Sequence, residues 1–184
     1  MYTRAAAPDV LERVETFCNS ARFLYGEDTF AELESTRAWL RARAWDDAAE
    51  ALNEVGRQEL MRVREAIREN IEGDERGLST LNVYAWQTVR PPQWAVAGEP
   101  LIKASRGSPI AVVIGTLLAT LASEELAGRR DRLKVCRSPD CRWVFYDRSP
   151  GNNSVWCSMS ICGARHKMRS YRTRRNDAGG PDVG

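Results

Sequence analysis

Histidine is almost absent from this 184-residue sequence; the only one is His166. A single imidazole permits no paired histidine–carboxylate set in the rest of the chain. The first 127 residues also lack a glycine-rich phosphate loop and a serine elbow. The chemistries that rest on those motifs are therefore not expected. Long apolar runs are scarce too. The longest, from Ile110 to Ala122, has 13 residues, short for a bilayer span and suited to a buried helix. The opening residues include no apolar stretch of signal-peptide length, so the expectation is a cytoplasmic protein with no membrane partner. No internal repeat and no low-complexity tract interrupts the chain. With 43% hydrophobic and 28% charged residues, it has the make-up of a globular protein, long enough for one ordinary domain and a small appended one.

Charge of one sign is missing locally rather than overall. Residues 1–127 carry 14 Lys+Arg against 20 Asp+Glu, whereas residues 128–175 carry 13 against 3. A formal net charge of +2 conceals this division. An acidic body joined to a basic end points to a polyanion-binding end, because a merely solvated face is usually mixed in sign.

The acidic part reads as helices. Asp9 can cap a helix whose apolar positions Val10, Leu11, Val14, Phe17, Cys18, Ala21 and Leu24 keep helical spacing up to Gly26. Thr29 and Glu32 have capping-box spacing and open a second helix with Phe30, Leu33, Trp39 and Leu40. Asp46 and Asp47 can cap a third helix, which Gly56 interrupts before Leu60, Val63, Ile67 and Ile71 resume the pattern. A further helix starts near Thr80 and stops by Pro91-Pro92. Trp94-Ala95-Val96 and Leu101-Ile102-Lys103 flank a Gly98-Glu99-Pro100 turn, the pattern of a hairpin. Ser108-Pro109 then opens a helix, apolar nearly all round, that ends before Gly128 and should lie at the centre of the core. Trp39, Trp45, Trp86 and Trp94 are read as packing residues rather than a ligand pocket. Cys18, on an apolar face without a nearby base, is read as a small core residue. Arg129–Arg132 would link this body to the cysteine-bearing end.

Four of the five cysteines fall within 27 residues. Cys136 and Cys141 form one pair and Cys157 and Cys162 another, each with four intervening residues. Clustered cysteines without a secretory signal are metal ligands more often than disulfides. Four thiolates satisfy the tetrahedral preference of Zn²⁺ and leave no open position for a catalytic water, so an enzyme is not expected. Trp143–Tyr146 reads as a strand and Val155-Trp156 as its return, joined by a loop over residues 149–153. Ser158 or Ser160 can cap a helix beginning at the last ligand. That helix carries Arg165, Lys167, Arg169, Arg172, Arg174 and Arg175 with no acid among them. Like charges at such spacing repel, and phosphates would relieve the repulsion while releasing counterions. His166 has the spacing of an alternative ligand. With four cysteines present, a phosphate-facing or surface role suits it better.

The segment Cys136…Cys141-Arg-Trp-Val-Phe-Tyr-Asp147…Trp156-Cys157-Ser-Met159-Ser-Ile-Cys162-Gly163-Ala-Arg165 resembles the CGNR zinc finger. Phe17-Cys18-Asn19-Ser20, Trp39-Leu40 and Val63–Arg68 resemble the ABATE domain that usually precedes it. The resemblance implies a bacterial transcription regulator. Two departures stand out: Ala164 replaces the signature asparagine, and Pro150–Val155 replaces a basic stretch.

The expected architecture is mainly α with a small β-hairpin. A helical ABATE-like domain spans 1–128, a zinc-ribbon or treble-clef-like module spans 133–176, and 177–184 form a disordered tail. The expected function is zinc-dependent DNA binding in transcriptional control. In that reading the body senses a small-molecule ligand or forms a homodimer. The alternative is a zinc-stabilised adaptor whose basic helix meets an acidic protein or RNA.

Overall fold

The computed structural model describes residues 5–8, 10–94, 98 and 100–178, the side chains of 176–178 excepted. Its helices are α1 (Leu11–Cys18), α2 (Leu33–Arg41), α3 (Asp46–Ala51), α4 (Glu54–Glu72), α5 (Leu78–Thr88), α6 (Pro109–Leu126) and α7 (Ala164–Ala178). Two short antiparallel ladders accompany them. One pairs β1 (Ala21–Arg22) with β2 (Glu27–Asp28), the other β3 (Leu133–Val135) with β4 (Val144–Tyr146). Asp9 and residues 179–184 lie outside the described residues, and 177 and 178 continue α7.

The central helix is α6. The Ser108 hydroxyl accepts the Ala111 amide at 3.2 Å, and Pro109 occupies the first turn, where its missing N–H has no cost. Ile110, Val113, Ile114, Leu117, Leu118 and Leu121 are buried against α1, α3, α4 and α5. By length and composition α6 could span a membrane; here those six side chains are part of this core, while Val112 and Leu126 are exposed. A close approach to α5 requires Gly115, because a Cβ there would lie 2.2 Å from the Thr88 carbonyl oxygen.

Several local expectations give way to tertiary contacts. The pattern from Val10 to Leu24 breaks after Cys18, since Asn19 leaves the helix to bond a distant strand. The chain then passes through the β1–β2 ladder around left-handed Gly26. The Thr29 capping box does not form. Phe30 is fully buried, the Thr29 amide bonds the Ser20 carbonyl, and α2 begins only after Glu32. Gly56 interrupts nothing; the break falls at Asn53, whose side chain accepts the Gly56 amide at 2.9 Å and caps α4. The hairpin after α5 survives as bridges pairing Val89 with Ala104 and Gln93 with Leu101; Ala95 and Val96 lie outside the described residues. Trp39 packs in an aromatic trio with Phe17 and Phe30, and Trp45 lies against the core. Trp86 and Trp94 instead stand 87% and 76% exposed. The apolar residues of α5 spread around the helix, and only part of its circumference meets α4 and α6.

Arg129–Arg132 does not hold the two parts of the chain separate. Arg130 bonds the Asn70 carbonyl and side chain on α4, and Arg132 bonds the carbonyls of Asp147 and Ser149. Leu133 and Val144, from β3 and β4, are buried in the same core as α1 and α4. The strands of the cysteine module thus close the hydrophobic core of the acidic body.

Candidate metal centre and basic helix

The β3–β4 hairpin leads directly into the first cysteine pair. The Cys136 amide donates to the Trp143 carbonyl at 2.8 Å, and the Cys141 amide closes a turn onto the Ser138 carbonyl at 2.9 Å. Arg142 takes a left-handed conformation, φ +46°, that turns the chain from the second cysteine into β4. The strand expected at Val155-Trp156 is not β4's partner. β3, which precedes the first cysteine, pairs with β4, and Val155 only accepts the Arg137 amide.

The second pair is formed by one π-turn, Met159–Gly163, capped by Ser158. The Ser158 carbonyl accepts the amides of Cys162 and Gly163. At Gly163 a Cβ would come 3.2 Å from the Met159 sulfur and 3.4 Å from the Trp156 ring, so glycine lets both cover the turn.

All four sulfurs of Cys136, Cys141, Cys157 and Cys162 lie within 4.8 Å of one another and are buried as free thiols. Cys141 Sγ and Cys157 Sγ are 3.7 Å apart, as are Cys157 Sγ and Cys162 Sγ. A tetrahedron with metal–sulfur bonds of about 2.3 Å has edges of roughly 3.8 Å, so the donor set fits a tetrahedral ion such as Zn²⁺. Hydrogen bonds from Cys141 and Cys157, with the backbone amides of Cys157 and Ser138, pull the Cys136 thiol down. Cys141 and Cys157 are pushed up, because each gives its hydrogen to Cys136. With protons alone, one thiolate keeps its neighbours protonated; a divalent cation removes that conflict. Cys18, outside the group, is fully buried, and desolvation pushes its thiol up to about 12, as suits an inert core residue.

Around the metal site lies a supporting set of bonds that sequence reasoning missed. Asp147 is completely buried. One carboxylate oxygen accepts the Ser149 amide at 2.9 Å; the other accepts the Ser154 amide and Lys134 Nζ, both at 2.8 Å. Burial raises its pKa, but these donors outweigh that and hold it far below the usual carboxylate range. Lys134 also donates to the Asn152 carbonyl at 2.6 Å, so the pair fastens the loop between the cysteine pairs. Asp147 stood in the aromatic strand motif, but nothing in its own neighbourhood identified Lys134 as partner.

Further polar contacts join the module to the body. The Asn19 side chain donates to the Val144 carbonyl at 2.8 Å and accepts the Val144 amide at 2.9 Å, adding one strand-like rung beside β4. Arg142 bonds both Glu72 oxygens, at 2.9 and 3.1 Å, and lies 3.7 Å from Glu65. Glu65 also pairs with Arg64 and Arg68, which are almost wholly buried in α4. Arg64 reaches Asp28 with two bonds of 2.7 Å, and Arg68 donates to the Cys18 carbonyl. Two of the three stretches singled out in the body, Phe17–Ser20 and Val63–Arg68, therefore meet at the contact with the module.

The basic helix α7 begins where the π-turn ends. Arg165, Lys167, Arg169, Arg172, Arg174 and Arg175 are all exposed along it. Among the described residues, Arg169 is the one of these that pairs with an acid, Asp140, at 2.7 Å. His166 is not grouped with the four sulfurs; its exposed ring lies 4.9 Å from that of Trp156, tilted by 33°. No curated protein matches the chain. Residues 132–175, which hold the four cysteines and most of the basic helix, match the model of the CGNR zinc finger, so this segment is similar to that finger.

Proposed function

We propose that the protein is a DNA-binding transcription regulator that holds Zn²⁺ through Cys136, Cys141, Cys157 and Cys162. The observation that carries this reading is α7, an exposed helix with six cations fixed at its start by the last metal ligand. Phosphate contacts dominate such binding, and base readout falls to residues held most firmly. Arg165 lies three residues after Cys162 and takes that part. Arg169 has a smaller one, because Asp140 already engages it. Arg172, Arg174 and Arg175, farther along, meet phosphates.

The ABATE-like body is assigned the signal-receiving or homodimerising part. A cavity of about 570 Å³ beside Arg13, Trp45, Asp46 and Pro109 is large enough for a small-molecule ligand.

Fluorescence anisotropy against several duplexes over a salt series tests the DNA reading. Arg165→Ala should cost roughly 1–3 kcal/mol and relax preference at one base pair. Arg174→Ala should weaken all sequences alike and make the salt slope shallower by about one unit. A folded, metal-loaded Arg165→Ala/Arg172→Ala variant that binds like wild type would transfer the lead to the adaptor reading.

A further inference from the structure

We propose that the cleft between the first cysteine turn and the start of α7 is a stacking pocket for an unpaired nucleobase. It rests on the nucleic-acid reading above and adds to it which form of nucleic acid is preferred. The cavity measures about 300 Å³, large enough for one nucleotide unit. Its walls include Arg137, Ser138, Pro139, Trp156, His166 and Arg169. Trp156 and His166 already lie ring against ring, and a base entering beside them extends the stack.

The charges suit an aromatic ring that carries a phosphate. Among the described residues, no acid lines the cavity. Asp140 is paired with Arg169 of the lining at 2.7 Å. Arg137, also in the lining, is exposed, and its planar guanidinium can lie on a base or pair with its phosphate. Pro139 and Val155 add apolar lining. A fully paired duplex cannot fill this cleft, because its bases are enclosed in their own stack. An unpaired base, in a single strand or a bulge, can reach it while the neighbouring backbone follows α7.

The test uses the full-length, zinc-loaded chain and three labelled ligands: a paired duplex, the same duplex with one bulged adenine, and the single strand. Stacking on protein aromatics corresponds to about 5- to 150-fold in affinity per base, so the bulge and the strand should bind about tenfold or more tighter than the duplex. His166→Ala and Arg137→Ala, both at exposed side chains, should remove most of that preference and leave duplex affinity within about twofold. Arg174→Ala should lower all three equally. Wild type binding the bulged and paired duplexes equally, or His166→Ala weakening all three alike, overturns the pocket alone. Absence of binding to every ligand overturns both the pocket and the DNA reading. Adenosine monophosphate saturating the chain as tightly as the strand would overturn assignment to a polymer and make this a free-nucleotide site.

Discussion

The acidic body and the basic module solve the same problem by different means. The body buries a continuous set of apolar side chains from α1, α3, α4 and α6, and its cohesion comes from area removed from water. The module has too few residues for such a core. Around Phe145 its buried centre consists of the four cysteines, a set that could hold a metal ion, with the buried Asp147 beside them. The comparison also shows where the two means meet: Leu133 and Val144 belong to the body's core although they flank the first cysteine pair. Composition divides the chain near residue 128, whereas packing does not.

Removing the metal should separate the two means most sharply. Structural zinc is worth ~10–16 kcal/mol of apparent binding free energy at neutral pH, so Cys157→Ser should unfold the second cysteine turn and α7. Elemental analysis should find one zinc per wild-type chain and none in the variant. Amide exchange should show α4 and α6 still protected. Loss of protection throughout would mean that the metal organises the body as well.

Next in size is the core shared by both parts. Residues 1–127 produced alone should lose roughly 3–6 kcal/mol, from exposing what Leu133 and Val144 cover, and should bind no duplex DNA. Denaturant melts measure the first and anisotropy the second. A fragment as stable as the full chain would restore a boundary at the linker.

Asp147→Ala should cost about 3–5 kcal/mol, because it leaves Lys134 without its buried partner. The acid dependence has a definite sign. The folded pKa of Asp147 is depressed, so its stabilisation is complete above the unfolded value near 4 and declines as pH falls below it. Wild type and Asp147→Asn should therefore differ most near neutral pH and converge below about pH 4 in thermal melts.

Smaller effects belong to the junction. Asn19→Ala removes two hydrogen bonds to Val144 and should cost about 2 kcal/mol. Arg142→Ala, losing a partly exposed pair with Glu72, should cost about 0.5–1 kcal/mol. If Asn19→Ala lowers metal affinity as well as stability, the junction transmits strain into the cysteine turns.

The parts most legible in the sequence were those specified locally. Structural zinc sites typically draw their ligands in closely spaced pairs, so Cys136, Cys141, Cys157 and Cys162 announce a common site. Ser108-Pro109 likewise carries its own capping chemistry. What could not be read depends on partners far along the chain. The spacing through Leu24 looks helical, yet Asn19 is drawn away by Val144. β4 finds its partner before Cys136 rather than after Asn153, and nothing near Val155 forbids the other choice. Trp86 and Trp94 look like core residues until the circumference of α5 is known.

The Asn19–Val144 contact spans 125 residues, which bears on how the chain is made. A ribosome synthesises α1 early and β4 only after most of the body, so the surface meant for Leu133 and Val144 remains uncovered during most of translation. Loop closure over that distance is slow, and the exposed apolar face is open to chaperones and proteases in the interval. Arrival of the cysteine hairpin then shields the nascent body, so shortening the chain before β4 should affect yield in the cell more than its equilibrium cost alone implies.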